Sequence, residues 1–416
     1  MSAPGAAPTV SRWRTDAFLA AGMVLNYADR SALPVVFPAL RGELGLSDVT
    51  LGLLGSLFLW SYALCGPVAG MLADRYSRRL IVIVSLAAWS AVTALTGLAH
   101  GLVALALLRV ALGVSESLFL PSAAAIMAAN HGLETRGRAM GVLLLCQSVG
   151  VIIGGVGVSY AADHFGWRSG FLFLGFAGIA LALAGGPLLP SAPAAATTAA
   201  PPPFRVRDAI AYLVHTPTYL TLLAGTVCAG VAVWIFFNWL SLYLVEKFGI
   251  KMAEAGFAGV AMLQLSSMVG IAAGAWISDR AVRRDHRSRL VVFAAGYFAA
   301  APFLLCFLLD PGLLTVTVCC ALFSLLRALG SVNEMPVLCE VVPPAYRSTA
   351  VGILIACACL SGGVGIFVGG LLKRGFGLEL VFAGLGGFFA LAGAGFLLAR
   401  RRFLESDLAR AEATAG

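Results

Sequence analysis

Six ionisable residues stand inside long apolar stretches of this chain: Asp29, Arg30, Arg109, Glu116, Arg327 and Glu334. Each costs about 2.5–3.5 kcal/mol on membrane-insertion scales. Such charges persist only where they face a water-filled cavity or pair with one another, so they point to a substrate or ion pathway. Arg109 and Glu116 are seven residues apart, which places them on one helix face about 10.5 Å apart along the axis. They line one cavity without touching. Asp29 and Arg30 diverge by about 100° around their helix, so they cannot both point to its centre. Asp29 or Glu116 is expected to pair with an arginine on the facing helix. The planar fork of arginine matches a carboxylate, so Arg30 and Arg109 suit an organic anion. The competing reading is a static ion-pair network bracing the first and fourth spans. Arg327 and Glu334 repeat the spacing later in the chain, either as a second anion-facing pair or as a brace. Asn333, beside Glu334, shares that ambiguity.

The elements that position these groups follow from composition. Of 416 residues, 60% are hydrophobic and 12% charged, with mean hydropathy +0.93. Soluble domains carry about 25% charged residues, so the chain reads as a polytopic membrane protein. Disorder, collagen-like repeats and disulfide scaffolds are excluded. The nine cysteines fall inside apolar runs with no metal-ligand spacing, and five scattered histidines add no metal motif. No metal and no cofactor is expected. The net charge of +8 resides mostly in arginines between apolar runs, a topology signal rather than a nucleic-acid surface.

Apolar runs long enough to span cover residues 17–40, 49–73, 80–99, 102–129, 137–162 and 170–189, then 219–244, 253–277, 290–309, 313–340, 348–372 and 380–399. That makes twelve, six on each side of a break. The first is not a cleavable signal, because Asn26, Tyr27, Asp29 and Arg30 stand where a signal has its apolar region. The break is proline-rich (Pro190, Pro193, Pro201, Pro202 and Pro203) and reads as an extended tether. The expected organisation is therefore a bundle over 1–189, a cytoplasmic linker over 190–210 and a second bundle over 211–416. With the first residue inside, nineteen Lys and Arg fall on the cytoplasmic side and six on the other. Both termini are thus expected to be cytoplasmic.

The halves repeat. Asp74-Arg75-Tyr76-Ser77-Arg78-Arg79 and Asp279-Arg280-Ala281-Val282-Arg283-Arg284 share the spacing D-R-x-x-R-R. Arg109 with Glu116 matches Arg327 with Glu334, and Arg136, Ala139 and Gly141 match Arg347, Ala350 and Gly352. Transporters built from such repeats place substrate near the midplane, between the repeats. Asp74 and Arg78, with Asp279 and Arg283 and their neighbours Arg75 and Arg280, read as a cytoplasmic gate between the halves. Plain positive-inside charge would explain the arginines but not the aspartates in register.

Twelve spans, a central tether and Gly70-Met71-Leu72-Ala73-Asp74-Arg75-Tyr76-Ser77-Arg78-Arg79 resemble the major facilitator superfamily, whose loop motif has glycine where Ser77 stands. Asn26-Tyr27-Ala28-Asp29-Arg30 resembles the N-Y-x-D-R signature of its anion:cation symporter family, which includes proton-coupled importers of galactonate and other sugar acids. Arg109, Gly113 and Glu116 with Pro121 are similar to that family's R-x-x-x-G-x-x-E motif. Trp239-Leu240-Ser241-Leu242-Tyr243-Leu244 resembles W-L-P-x-Y-L with serine for proline, and Gly66 replaces a frequent glutamine. The resemblance implies proton coupling at Asp29 and Glu116, with Tyr27, Tyr62, Gln147, Trp239 and Tyr243 lining the pocket.

Asn238 is a further polar residue in an apolar span, able to serve substrate or a neighbouring helix. Trp60, Trp89, Trp234, Phe236 and Phe237 read as packing or lipid-facing residues. The span-five glycines Gly141, Gly150, Gly154, Gly155 and Gly157 lack the proline of a drug-antiporter signature, Gly155 standing in its place, and read as close packing.

The expected fold is all-α, twelve transmembrane helices in two pseudo-symmetric six-helix bundles. The expected function is proton-coupled uptake of a small organic anion, such as a sugar acid, by alternating access. The proton is the coupling ion, since no cluster of oxygens for sodium is visible. The expected setting is the inner membrane, with lipid and substrate as partners and a monomer as the resembling family implies. The alternative is a proton-driven efflux antiporter of amphipathic compounds. No nucleophile–base pair supports an enzyme.

Overall fold

A computed structural model describes residues 12–189, 206–285 and 287–415, and the described residues form helices and short connections. The first half holds α1 (Arg12–Val35), α2 (Phe37–Leu44), α3 (Asp48–Arg75), α4 (Arg78–Thr96), α5 (Leu102–Ser117), α6 (Phe119–Asn130), α7 (Leu133–Phe165) and α8 (Trp167–Leu188). The second holds α9 (Val206–Val214), α10 (Pro217–Phe248), α11 (Met252–Gly256), α12 (Met262–Val282), α13 (Ser288–Ala300), α14 (Leu313–Ser331), α15 (Glu334–Val341), α16 (Arg347–Arg402) and α17 (Leu404–Ala415).

Ten helical segments are long and apolar enough to cross a membrane. One of them, Pro344–Arg402, breaks at Gly377 (φ 73°, ψ 160°), a conformation that glycine adopts without strain. It therefore supplies spans eleven and twelve. The remaining span is α1, whose charges keep its hydropathy below that of the others. The protein is thus an all-helical, multi-pass membrane protein of twelve spans in two six-helix bundles.

Several spans are interrupted where the sequence gives a reason. Pro38 has no N–H to carry the ladder on from Pro34, and the chain turns at Val36 between α1 and α2. Pro121 likewise leaves the Ser117 carbonyl without its helical donor, and span four divides there into α5 and α6. Span ten divides at Val332 and Asn333, four and three residues before Pro336. A π turn at Phe257–Ala261 joins α11 to α12. Glu116 and Glu334 thus both stand at the break of a discontinuous helix, the arrangement repeat-built transporters use for their sites. Residues 190–205 of the expected tether lie outside the described residues, and its last residues, 206–210, are already helical in α9.

Packing fixes how α1 lies. A Cβ on Gly150 or Gly154 of α7 would collide with the α1 carbonyls of Val24 or Ala28, so bare glycine lets the two backbones meet. Gly155 makes room for the Val260 side chain of the other half, whereas Gly141 and Gly157 have open space around them. At the end of the bundle away from the termini, one continuous apolar core crosses between halves, with Phe37, Leu51 and Leu54 packed in it alongside Trp239 and Leu240.

Candidate functional site

Arg30 is the centre of the site. Its Nε donates to Glu116 Oε2 at 2.9 Å, and Glu116 is fully buried while the Arg30 side chain keeps 13% exposure. The guanidinium carbon sits 4.5 Å from the Tyr62 ring centre, 4.7 Å from that of Tyr27 and 5.4 Å from that of Phe58. Three rings and one carboxylate therefore fix its position, since a desolvated cation is attracted to aromatic faces. The expected pairing of a span-four carboxylate with a span-one arginine is present.

Asp29 diverges from Arg30, as its neighbouring position requires, and turns into the first bundle toward Trp89 and Thr93 of α4, with Arg109 and Glu116 in electrostatic reach. Arg109 is 2% exposed and lies 5.9 Å from the Phe171 ring centre. Its Nε and Nη2 have no hydrogen-bond partner, nor do Asp29 Oδ1 and Glu116 Oε1. Buried polar atoms normally find partners. These are open valences around Arg30, which itself lines a cavity.

That cavity lies between the halves and has a volume of about 210 Å³. Tyr27, Arg30, Ser31, Pro34 and Val35 form its first-half wall with Val151; Val233, Trp234, Phe237, Asn238, Val260, Gln264 and Arg327 form the second. A smaller space of about 20 Å³ continues from Arg30, Pro34, Trp234 and Asn238 to Arg109, roughly the room one water needs. Mostly apolar walls with a few placed polar groups characterise a small-molecule site.

The other expected site residues distribute as follows. Tyr62 acts on the cavity through Arg30 rather than lining it. Gln147 is half-buried on α7 and is not among the lining residues. Trp239, expected in the pocket from the family pattern, lies outside this cavity. It is fully buried, its Nε1 donates to Ile366 O at 3.1 Å, and its ring carries Lys373 at 5.8 Å. Tyr243 packs among Phe248, Phe307 and Phe382. Trp234 and Phe237, read from the sequence as packing residues, line the cavity instead. Trp234 and Asn238 stand one helical turn apart, and Asn238 Nδ2 donates to Trp234 O at 2.9 Å. A polar residue in an apolar span thus marked the face on which its aromatic neighbour lies.

Glu334 accepts a hydrogen bond from Thr226, while Arg327 reaches the cavity. Asn333 is fully buried and accepts from Ser278. Of the expected gate, Asp279 lies 3.7 Å from Arg289 of its own half, Arg280 sits 6.0 Å from the Trp276 ring centre, Arg75 and Arg283 are exposed and Arg78 is half-buried. The side chain of Asp74 lies outside the described residues.

Ties between the halves run from the midplane to the end away from the termini. Lys373 of α16, 10% exposed, holds Asp48 of α3 at 2.9 Å and Glu246 of α10 at 2.8 Å, and Arg41 also reaches Glu246. Ser56 donates to Gly363 O at 2.6 Å, Trp60 to Leu360 O at 3.2 Å and Gln264 to Ser148 Oγ at 2.8 Å. Asp163 caps α11 through the N–H groups of Met252 and Ala253. At the opposite end, charged side chains pair within their own half, as His131 with Asp16 and Arg289 with Glu340. The bundle is shut at one end, and sequence reasoning missed the latch. Counting only lysine and arginine for topology discarded the acids Asp48 and Glu246 that the basic residues hold.

Two bundles around a charged midplane cavity define a transporter architecture. The chain belongs to the Major Facilitator Superfamily, whose model matches residues 19–331. Among curated relatives, it is similar to a probable L-galactonate transporter of Escherichia coli, 26% identical over 68% of this chain and 65% of that one. It also resembles an MFS-type efflux pump of Mycolicibacterium smegmatis, 26% identical over 87% of this chain and 84% of the other. A probable galactarate/D-glucarate transporter of Bacillus subtilis is 25% identical over 76% of each. In fold it superposes on a bacterial homolog of the human lysosomal transporter Spinster, solved inward-facing and unoccupied. That match has TM-score 0.82 and 21% identity, covering 96% of this chain and 99% of the other.

Proposed function

We propose that the protein is a proton-coupled symporter that takes up a small organic anion, of the sugar-acid kind, across the inner membrane of a bacterial cell. The observation that carries this reading is Arg30 bonded to Glu116 at the cavity wall. A protonated carboxylic acid no longer holds a guanidinium by charge, so a proton on Glu116 frees Arg30 for the carboxylate of a substrate. Arg109, with two open donors, receives the same anion or pairs with ionised Asp29. When the anion leaves, Glu116 regains Arg30 and gives up its proton on the same side.

Alternating access follows from the latch. With both termini cytoplasmic, the closed end faces outward and the cavity belongs to the inward-facing state. The Asp74–Arg78 and Asp279–Arg283 motifs would then meet in the outward-facing state. A monomer is the working unit of this reading. Relatives that carry the names of sugar-acid transporters support the substrate class.

The test is uptake into proteoliposomes under an imposed pH gradient. Wild type accumulates galactonate or a related sugar acid, and Glu116→Gln exchanges it without accumulating it. Accumulation that survives in Glu116→Gln overturns the coupling role. The second reading, efflux of amphipathic compounds, draws on the apolar walls of the cavity and on the efflux-pump relative. It predicts that lipophilic cations, not acids, stabilise the purified protein and that Arg109→Gln leaves that effect intact.

A further inference from the structure

Arg327, the second half's counterpart of Arg109, has no role in the symport reading. It belongs to α14 in the second half, yet its side chain lines the same cavity as Arg30. Glu334, seven residues on, does not hold it. The chain breaks between α14 and α15, and Glu334 accepts its hydrogen bond from Thr226. Arg327 Nε is left with no partner. The cavity therefore presents a guanidinium from each half, one switchable through Glu116 and one not.

Charge adds a second argument. The six intramembrane groups are three arginines and three carboxylates, so they balance when all are ionised. Protons on Asp29 and Glu116 leave three positive charges against Glu334 alone, an excess of two. A monoanion would cancel half of that excess in a cavity with mostly apolar walls, whereas a dianion cancels it entirely. Unbalanced buried charge is costly.

We propose that the substrate carries two anionic groups, one received by Arg30 and the other by Arg327 across the cavity, and that Arg327 selects diacids over monoacids. This deepens the anion-symporter reading and rests on it. Asn238 and Gln264, each with one amide N–H engaged, by Trp234 O and Ser148 Oγ, also line the cavity and offer their remaining amide groups to hydroxyls between the two acids. A short polyhydroxylated diacid fills these roles. A cavity of about 210 Å³ is in keeping, being smaller than the roughly 300–1,000 Å³ of drug-sized pockets.

The experiment is calorimetric binding to the purified full-length protein with three probes of one carbon skeleton: galactarate, galactonate and galactitol. Wild type is expected to bind galactarate at least about tenfold more tightly than galactonate, about 1.4 kcal/mol, and galactitol not measurably. In Arg327→Gln both acids bind as galactonate binds wild type, and Arg327→Lys keeps part of the preference. Equal affinity for the two acids in wild type overturns the proposal while leaving the anion reading in place, as does a preference that persists in Arg327→Gln. Failure of every acid to bind wild type removes both. Should Arg327→Gln fail to fold, the wild-type ratio and Arg327→Lys still decide.

Discussion

The two halves carry the same spacing of arginine and glutamate but use it differently. In the first, Glu116 crosses to Arg30 on another helix, while Arg109 and Asp29 stay close with open valences. In the second, Glu334 turns to a threonine and Arg327 faces the cavity with its Nε unpartnered. The difference lies in what stands opposite. α1 brings Asp29 and Arg30, and its counterpart in the second half, α10, brings Trp234, Phe237 and Asn238 to the cavity. One repeat holds its cavity arginine with a buried carboxylate, and the other sets its arginine beside an aromatic wall.

That contrast can be broken. The largest effect is expected from Glu116→Ala, which strands Arg30 without its carboxylate and should lower unfolding free energy by about 3–5 kcal/mol. Denaturant titration of the detergent-solubilised protein measures it. Glu334→Ala removes a hydrogen bond from a hydroxyl and should cost about 1.5–3 kcal/mol. Equal losses at the two sites would erase the distinction between them.

A smaller effect is expected where the halves are tied. Lys373→Ala removes the cation shared by Asp48 and Glu246 and should favour opening at that end by about 1 kcal/mol, a factor of about five in population. In a background stripped of the native cysteines, Ser56→Cys should then react faster with a membrane-impermeant maleimide. An unchanged rate would mean that the apolar contacts alone close that end.

The smallest effect concerns a surface tie within the first half. Glu43 accepts from Trp167 Nε1 at 2.7 Å and from Arg168, and these hydrogen bonds, Arg168 first, lower its carboxyl below the ordinary glutamate range. A depressed acid adds stability above its unfolded value, and that increment disappears as pH falls through the folded value. The loss should therefore set in below about pH 4 and be slight, because half of the Glu43 side chain is exposed. Glu43→Gln should flatten this part of a melting-temperature profile against pH. An unaltered acid limb would assign the loss to other groups.

Spacing made most of the fold legible. Apolar runs set the spans, and the D-R-x-x-R-R and arginine–glutamate repeats exposed the two halves. The same spacing predicted that Asp29 or Glu116 pairs with an arginine across helices, because two charges seven apart on one helix do not touch. The structure shows Glu116 in that role. Contacts that close only in three dimensions stayed hidden. Lys373 and Asp48 are 325 residues apart, and each alone looks like an ordinary loop charge. Trp239 misled because its motif neighbours are pocket residues by resemblance, while its indole N–H needs a carbonyl and finds one on α16.

Lipid alone does not account for the place of α1 in the bilayer. As the chain is synthesised, this span emerges before the spans that hold it, with Asp29 and Arg30 still lacking company, and each charge opposes partition by about 2.5–3.5 kcal/mol. Its counter-ion, Glu116, follows 86 residues later, and the glycines of α7 that seat its backbone come later still. Settlement of the first span is thus a tertiary event. The helix that carries the chemistry gains its final position only when the fourth and fifth spans have arrived to hold it.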